Sequence, residues 1–251
     1  MTRLSVNVNK IAVLRNSRGG ALPSVVEAAD CAVAAGAQGI TVHPRPDCRH
    51  IRPEDAFDLA NRYPVEFNVE GNPFAGATDG YCGFMEILRR TRPAQATLVP
   101  DGDDQLTSDH GWNLQRDGER VAPLIAELKS LGIRVSLFMD EDCSDWELAR
   151  QVGADRVEIY TGPYAASWQG GDRTAALGRI RRAVDGALSA GLAVNAGHDL
   201  DLHNLGPLLT AAPQVAEVSI GHALISDAIY LGLEQTVRRY LAVIAASSGQ
   251  I

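Results

Sequence analysis

The segment Ile40 to Ile51, ITVHPRPDCRHI, sets His43, Arg45, Arg49 and His50 directly after a short β-branched run. Imidazoles exchange protons near neutral pH, and guanidinium groups grip carboxylate or phosphate through a planar fork. An apolar strand that ends in these four groups reads as the mouth of a site that moves protons and holds anions. Two of the chain's six histidines fall within these few positions, which weighs against a solvated basic loop.

Such groups need a rigid support, and the chain repeats one phrase that supplies it. AAGAQGITVH, SLGIRVSLFMD, QVGADRVEIY and SAGLAVNAGH each run from a helical stretch through a glycine into a β-rich run and a polar residue. Gly36, Gly132, Gly153 and Gly191 stand just past the predicted helix ends, where a left-handed backbone favours glycine. His43, Asp140, Tyr160 and His198 then mark the C-terminal ends of four strands at one end of one sheet.

Further strands read over 4–9, 65–70, 95–100 and 215–220, and helices over 23–35, 53–61, 81–90, 118–131, 144–151, 174–190, 205–211 and 224–246. The alternation predicts an α/β chain of one domain, residues 1–251, closed as a (β/α)8 TIM barrel with its active site at the C-terminal strand ends. The competing fold, an open doubly wound sheet, usually carries GxGxxG after its first strand, and VNVNKIAVLRNSRGG has none.

Composition narrows the partners. Of 251 residues, 45% are hydrophobic, enough for a large core, while a net charge of -8 argues against nucleic acid or an anionic membrane as the main partner. Any anion site is therefore local. Cys31, Cys48, Cys82 and Cys143 form no CxxC pair, which fits reduced thiols of the cytoplasm. The chain enters a strand pattern at once, LSVNVN, and holds no long apolar run, so neither secretion nor membrane insertion is expected.

In a barrel, the strand ends face one pocket. The first strand brings Asn7, Asn9 and Lys10, with Arg15 and Arg18 in the loop beyond, and the second brings His43, Arg45 and His50. Later strands add Glu70, Asp101 with Thr107, Asp140, Glu158 with Tyr160, Asn195 with His198, and Gly221 with His222. Asn7 and Asn195 fit a hydrogen-bonded barrel layer as well as ligand contact. Glu158, between Val157 and Ile159, points inward and needs either a partner or a raised pKa. Asp140 is expected to cap the turn into EDCSDWEL, and His110 and His203 to lie on the surface.

Gly197-His198 and Gly221-His222 each follow an apolar strand and precede a helix, so that their backbone N–H groups can gather at a helix N-terminus and bind phosphate. The irregular stretch Pro100 to Asp117 is a lid candidate, with a disordered surface loop as the alternative, against which Trp112 argues because an indole rarely stays fully exposed. A metal site is not expected: His43, His50, Glu70 and His198 lack HxH or HExxH spacing, and the interleaved cations repel a metal ion.

VNVNKIAVLRNSRGG, GITVHPRPDCRHI, LVPD, RVSLFMD, VEIYTGPYA, VNAGHDL and SIGHALI, in this order from about residue 4 to residue 240, resemble the pyridoxine 5'-phosphate synthase family. The resemblance implies a barrel, usually a homo-octamer, that condenses 1-deoxy-D-xylulose 5-phosphate with 3-amino-2-oxopropyl phosphate without metal or organic cofactor. It implies His43 and Glu70 as general bases, His198 as general acid and Glu158 as a transition-state stabiliser. It places the aminoketone phosphate on Asn7, Arg18, His198, Gly221 and His222. The deoxyxylulose phosphate falls to Arg45, His50 and Thr107, with Asn9-Lys10 beside it where Asp-His is frequent. Asp199 and Tyr160 replace a frequent Gly and His. The alternatives are a phosphate-binding barrel without catalysis, and an aldolase or isomerase of one phosphorylated sugar.

Overall fold

The structure, a computed structural model, describes residues 1–102, 105–247 and 249. Eight strands close a parallel barrel in sequence order: β1 (Arg3–Asn7), β2 (Gly39–Val42), β3 (Glu66–Gly71), β4 (Gln95–Leu98), β5 (Arg134–Asp140), β6 (Arg156–Tyr160), β7 (Ala193–Gly197) and β8 (Glu217–Ile220). Pairing of Ser5 with both Gly39 and Ser219 joins β1 to β2 and β8 and closes the ring. The single-domain (β/α)8 barrel expected from the repeated phrase is the observed fold.

Alternation along each strand sorts the side chains. Leu4, Val6, Ile40, Val42, Val69, Leu98, Leu137, Val157, Ile159, Val194 and Val218 are buried in the hydrophobic core shared with the helices. Their neighbours line a polar interior: Ser5 Oγ meets Thr41 Oγ1 at 2.7 Å, and Thr97 Oγ1 donates to Asn68 Oδ1 at 3.0 Å. At the N-terminal end, Glu66 pairs with Arg134 and reaches Arg3 at 3.4 Å and Arg156 at 3.6 Å. Branched apolar layers commonly fill such barrels. Here hydrogen bonds and ion pairs hold a polar interior instead, with Ser136 Oγ, Glu158 Oε2 and Glu217 Oε2 left unpartnered among the described residues.

The outer layer is α1 (Asn9–Asn16), α2 (Val25–Ala34), α3 (Pro53–Leu59), α4 (Phe84–Thr91), α5 (Leu114–Ser130), α6 (Trp146–Gln151), α7 (Gly162–Gly170), α8 (Arg173–Ser189), α9 (Leu205–Ala211), α10 (His222–Leu231) and α11 (Leu233–Ser247). Several bounds differ from the sequence reading. NKIAVLRN, read as strand end and loop, is α1, so Arg15 belongs to a helix; it pairs in the interior with Asp55. The segment after Tyr160 forms an additional helix, α7. Helix α4 starts at Phe84 rather than Tyr81, because Gly83 breaks the pattern at φ 94°. Gly232, at φ 81°, divides the expected last helix into α10 and α11.

Helix α5 starts at Leu114, where Asn113 accepts a hydrogen bond from the Arg116 N–H, so the irregular stretch after β4 ends earlier than expected. Residues 103 and 104 of that stretch lie outside the described residues. Trp112 is buried as expected, and its Nε1 donates to the Leu98 carbonyl at 2.8 Å. Asp140 does not cap α6; its Oδ1 accepts the Gly111 N–H. Among the described residues, no helix is long and apolar enough to cross a membrane.

Candidate active site

A cavity of about 490 Å³ opens at the C-terminal ends of the strands. Its lining brings together Asn7, Asn9, Lys10, His43, Arg45, His50, Glu70, Thr107, Glu158, His198, Gly221 and His222. Of the residues that the sequence places at the strand ends or in the loops beyond, Arg15, Arg18, Asp101, Asp140, Tyr160 and Asn195 are not part of this lining. α1 ends at Asn16, and the turn that follows leaves Arg18 on the surface.

The first two strand ends are tied together. Asn7 Oδ1 accepts the Asn9 N–H at 3.0 Å, and Asn9 Oδ1 accepts the His43 N–H at 2.9 Å. Asn9 therefore positions His43 through its backbone, while Lys10, in the first turn of α1, extends to the exposed rim. His50 Nδ1 accepts the Ile51 N–H at 2.9 Å, which leaves the ring proton on Nε2 in the neutral form. Burial, then Arg45 and Arg49, push His50 down to about 4.

His43 and Glu70 meet with Nδ1 and Oε2 3.9 Å apart, beyond hydrogen-bond reach. Burial pushes His43 well below the ordinary imidazole value, with Arg45, His50 and Arg49 adding to it. The same burial raises Glu70 well above the ordinary carboxylate value, and Glu158 and Asp101 raise it further. Desolvation disfavours the charged form of both groups, and so works against an ion pair between them.

Arg45 is held from two sides. Its guanidinium pairs with Asp101 and donates from Nη1 to the Gln105 carbonyl at 2.9 Å, while Ser108 Oγ donates to Asp101 Oδ2 at 2.7 Å. Arg49, the other guanidinium of the ITVHPRPDCRHI segment, also lines the cavity and donates to the same carbonyl at 2.5 Å. Both arginines thus meet the segment after β4. Thr107, on that segment, places Oγ1 2.8 Å from His198 Nε2 across the cavity.

His198 sits in left-handed backbone, φ 82°, with Nδ1 2.9 Å from Asp199 Oδ2 and its ring against Tyr160 at 5.2 Å. The helix expected over 205–211 is α9, and its start at Leu205 lies beyond His198 rather than at it. Gly221 does precede a helix directly, as the N-cap residue of α10, and a Cβ there would stand 3.1 Å from the Asn7 side chain. First-turn N–H groups and the helix dipole make this terminus receptive to anions. Sequence reasoning missed Ser108, which donates to Asp101, and Glu217, which adds to the rise of Glu70. The alternation in VAEVSI, which turns Glu217 and Ser219 to one face, is the signal that would have found Glu217.

Fold and cavity together define a (β/α)8-barrel enzyme with clustered titratable groups and cationic walls. Residues 4–246 match the family model described as pyridoxal phosphate biosynthesis protein PdxJ, and the chain belongs to that family. A pyridoxine 5'-phosphate synthase of Xanthomonas campestris pv. campestris (strain B100) is 58% identical over 250 residues, 98% of each chain. One of Xylella fastidiosa (strain 9a5c) is 56% identical over 97% of this chain and 95% of its own. Among solved structures, the tryptophan synthase alpha chain of Legionella pneumophila subsp. pneumophila superposes with a TM-score of 0.62 at 10% identity, covering 100% of this chain and 92% of its own. Phosphoribosylanthranilate isomerase of Thermotoga maritima gives 0.60 at 13% identity over 98% and 100%. These two likenesses concern the barrel alone.

Proposed function

We propose that this enzyme is a pyridoxine 5'-phosphate synthase, condensing 1-deoxy-D-xylulose 5-phosphate with 3-amino-2-oxopropyl phosphate to pyridoxine 5'-phosphate, phosphate and water. The observation that carries the reading is the single cavity in which His43, Glu70, Glu158 and His198 stand between two anion-attracting walls. Arg45, His50 and Thr107 form one wall, with Asn9 and Lys10 beside them. The other is Asn7 with Gly221 and His222 at the start of α10.

Joining an amine to a ketone as a Schiff base, then dehydrating, losing phosphate and closing a ring, requires repeated proton transfers at fixed positions. His43, neutral through burial, takes protons from carbon, and the incoming ammonium favours the ionised form of Glu70 as second base. His198, between Asp199 and Thr107, returns protons to departing oxygen. Arg18, on the surface of its own chain, is left without a part in this assignment.

The protein works in the cytoplasm as a homo-oligomer, an octamer by the family resemblance. Leu14, Leu22, Ile229 and Tyr230 are all more than half exposed, and burial between copies would remove this apolar surface from water. Supplying both substrates tests the activity: one phosphate released per pyridoxine 5'-phosphate is expected. Tight binding without turnover would turn the reading into a phosphate-binding barrel, and turnover of one substrate alone into an aldolase or isomerase.

A further inference from the structure

The turn that follows β7 runs through two consecutive non-glycine residues in left-handed backbone, His198 at φ 82° and Asp199 at φ 58°. That region favours glycine, and His and Asp are among the few side chains that visit it, usually singly. Two in succession persist here because buried neighbours hold the turn. Thr161 Oγ1 stands 2.6 Å from the Gly197 carbonyl oxygen and 2.5 Å from that of His198, and Asn204 Nδ2 donates to the Asp199 carbonyl at 3.1 Å. Asn204 is fixed in turn by Tyr164, whose hydroxyl donates to its carbonyl at 2.6 Å. Thr161, Tyr164 and Asn204 are all buried.

The turn brings both side chains to the cavity and sets one against the other, with Asp199 Oδ2 2.9 Å from His198 Nδ1. On the opposite side of the ring, Nε2 lies 2.8 Å from Thr107 Oγ1, so a hydroxyl oxygen reaches this nitrogen at hydrogen-bond distance. Tyr160, at the end of β6, packs edge-on against the imidazole and, like Thr107, brings no charge to it. Asp199 stands where glycine is frequent in the family, so the fold does not require this carboxylate.

Its surroundings keep Asp199 ionised. The hydrogen bond to His198 holds its carboxyl below the ordinary range against the opposing effect of burial, and His198, His222 from α10 and Lys10 from α1 add their positive charge. A carboxylate has no proton to give, so Nδ1 carries the hydrogen of the contact. In the neutral ring, Nε2 then keeps its lone pair and accepts the Thr107 hydroxyl.

We propose that Asp199 is a positioning residue of the reaction, which holds His198 by its Nδ1–H so that Nε2 meets the substrate, and which balances the imidazolium formed when Nε2 takes up a proton. The inference rests on His198 returning protons to departing oxygen, as proposed above. When His43 removes a proton from carbon, the C–H pair forms the new double bond and the C–O bond breaks with its pair on oxygen. The Nε2–H proton joins the departing hydroxyl as water. His198 is left neutral, with its remaining proton on Nδ1 against Asp199. Exchange with solvent then returns a proton to Nε2 and removes the one on His43. A carboxylate that fixes the tautomer and stabilises the imidazolium plays this part beside the histidine of hydrolytic triads.

Glycine takes φ 58° freely, so Asp199→Gly removes the carboxylate without straining the turn. Nitrogen NMR spectra of the full chain labelled at histidine, with His198→Gln assigning the signal, report which ring nitrogen carries the proton. The neutral ring is expected as the Nδ1–H form in wild type and shifted toward the Nε2–H form in Asp199→Gly. With both substrates supplied, Asp199→Gly should lower kcat by about tenfold or more while each KM stays within about threefold, because the contact acts on proton transfer rather than on binding. Asp199→Asn fills the same space without the charge and should lower kcat likewise. A rise in KM with an unchanged tautomer would mean that the turn merely shapes the cavity, and overturns the proposal. An Nε2–H ring in wild type, or wild-type kcat in either folded variant, overturns it as well. A wild-type chain that shows the Nδ1–H ring, and its loss in Asp199→Gly, but makes no product overturns the synthase reading and the imidazolium role, while supporting the orienting contact.

Discussion

Gly111 donates its backbone N–H to Asp140 Oδ1 at 2.9 Å, which pins the segment after β4 to the end of β5. That segment carries Gln105, which holds Arg45 and Arg49, and Thr107, which meets His198. A Cβ at Gly111 would overlap the backbone of Met139 and Asp140. Gly111→Ala is therefore expected to displace the segment and lower kcat/KM by about tenfold or more, since small misplacements of positioned groups cost rate steeply. Asp140→Ala should raise KM, while Asp140→Asn, which keeps an acceptor, should stay close to wild type. Steady-state kinetics with both substrates decide this; equal behaviour of the two Asp140 variants would remove the hydrogen bond from the argument.

His43 and Glu70 are separated by 3.9 Å in the cavity, and among the described residues neither side chain makes a hydrogen bond. Each is held by its strand end rather than by the other. His43→Asn and Glu70→Gln are expected to fold normally and to lose tenfold or more in turnover, within the range of about 10² to 10⁴ common for acid/base groups. Circular dichroism and kcat together provide the measurement. Near-normal turnover in either variant would remove that residue from the proton-transfer steps.

Much of this arrangement was legible in the chain, and the failures have physical causes. The glycine, β-run and polar-residue phrase reports the barrel because each unit repeats the same helix end and the same strand exit. The residue just past each strand then lies at the common mouth, which is why His43, His198 and Gly221 could be placed from spacing alone. Helix α1 was missed because NKIAVLRN continues the β-branched pattern of VNVN and is only eight residues long. The start of α5 is hidden by Gly118, and Pro123 stands inside the same helix, which runs on unbroken to Ser130. Pairings such as Arg15 with Asp55, or Arg45 with Asp101, join residues far apart in sequence, and local pattern carries no record of them.

Arg45 offers a test of fork geometry. Asp101 and the Gln105 carbonyl fix its guanidinium plane, and Ser108 fixes Asp101 in turn. Lysine at this position keeps the charge but loses the planar set of donors. Arg45→Lys is expected to raise KM for the deoxyxylulose substrate by about tenfold, within the energy of one charge-assisted hydrogen bond. KM for the aminoketone should change little, because its phosphate is assigned to the α10 terminus on the other wall. An equal rise for both substrates would mean that Arg45 shapes the whole cavity rather than one phosphate site.

His50 links the site to acid stability. Its folded-state value of about 4 lies below the ordinary 6.5 because burial and the two neighbouring arginines oppose the charged ring. The folded state therefore binds fewer protons than the unfolded state between these values, and the stability that a neutral His50 contributes is present above pH 6.5. It is lost as pH falls through about 4. The full difference corresponds to about 3 kcal/mol. The raised carboxylates Glu70, Glu158 and Glu217 act in the opposite sense, since protons held by the folded state stabilise it at low pH and cease to do so as pH rises through their folded values. Comparing wild type with His50→Gln cancels those common terms. Denaturant unfolding at pH 7 and pH 4.5 should show wild type losing more stability on acidification than the variant. Equal losses would mean that His50 is already protonated in the folded chain, and that Nδ1 no longer accepts the Ile51 N–H.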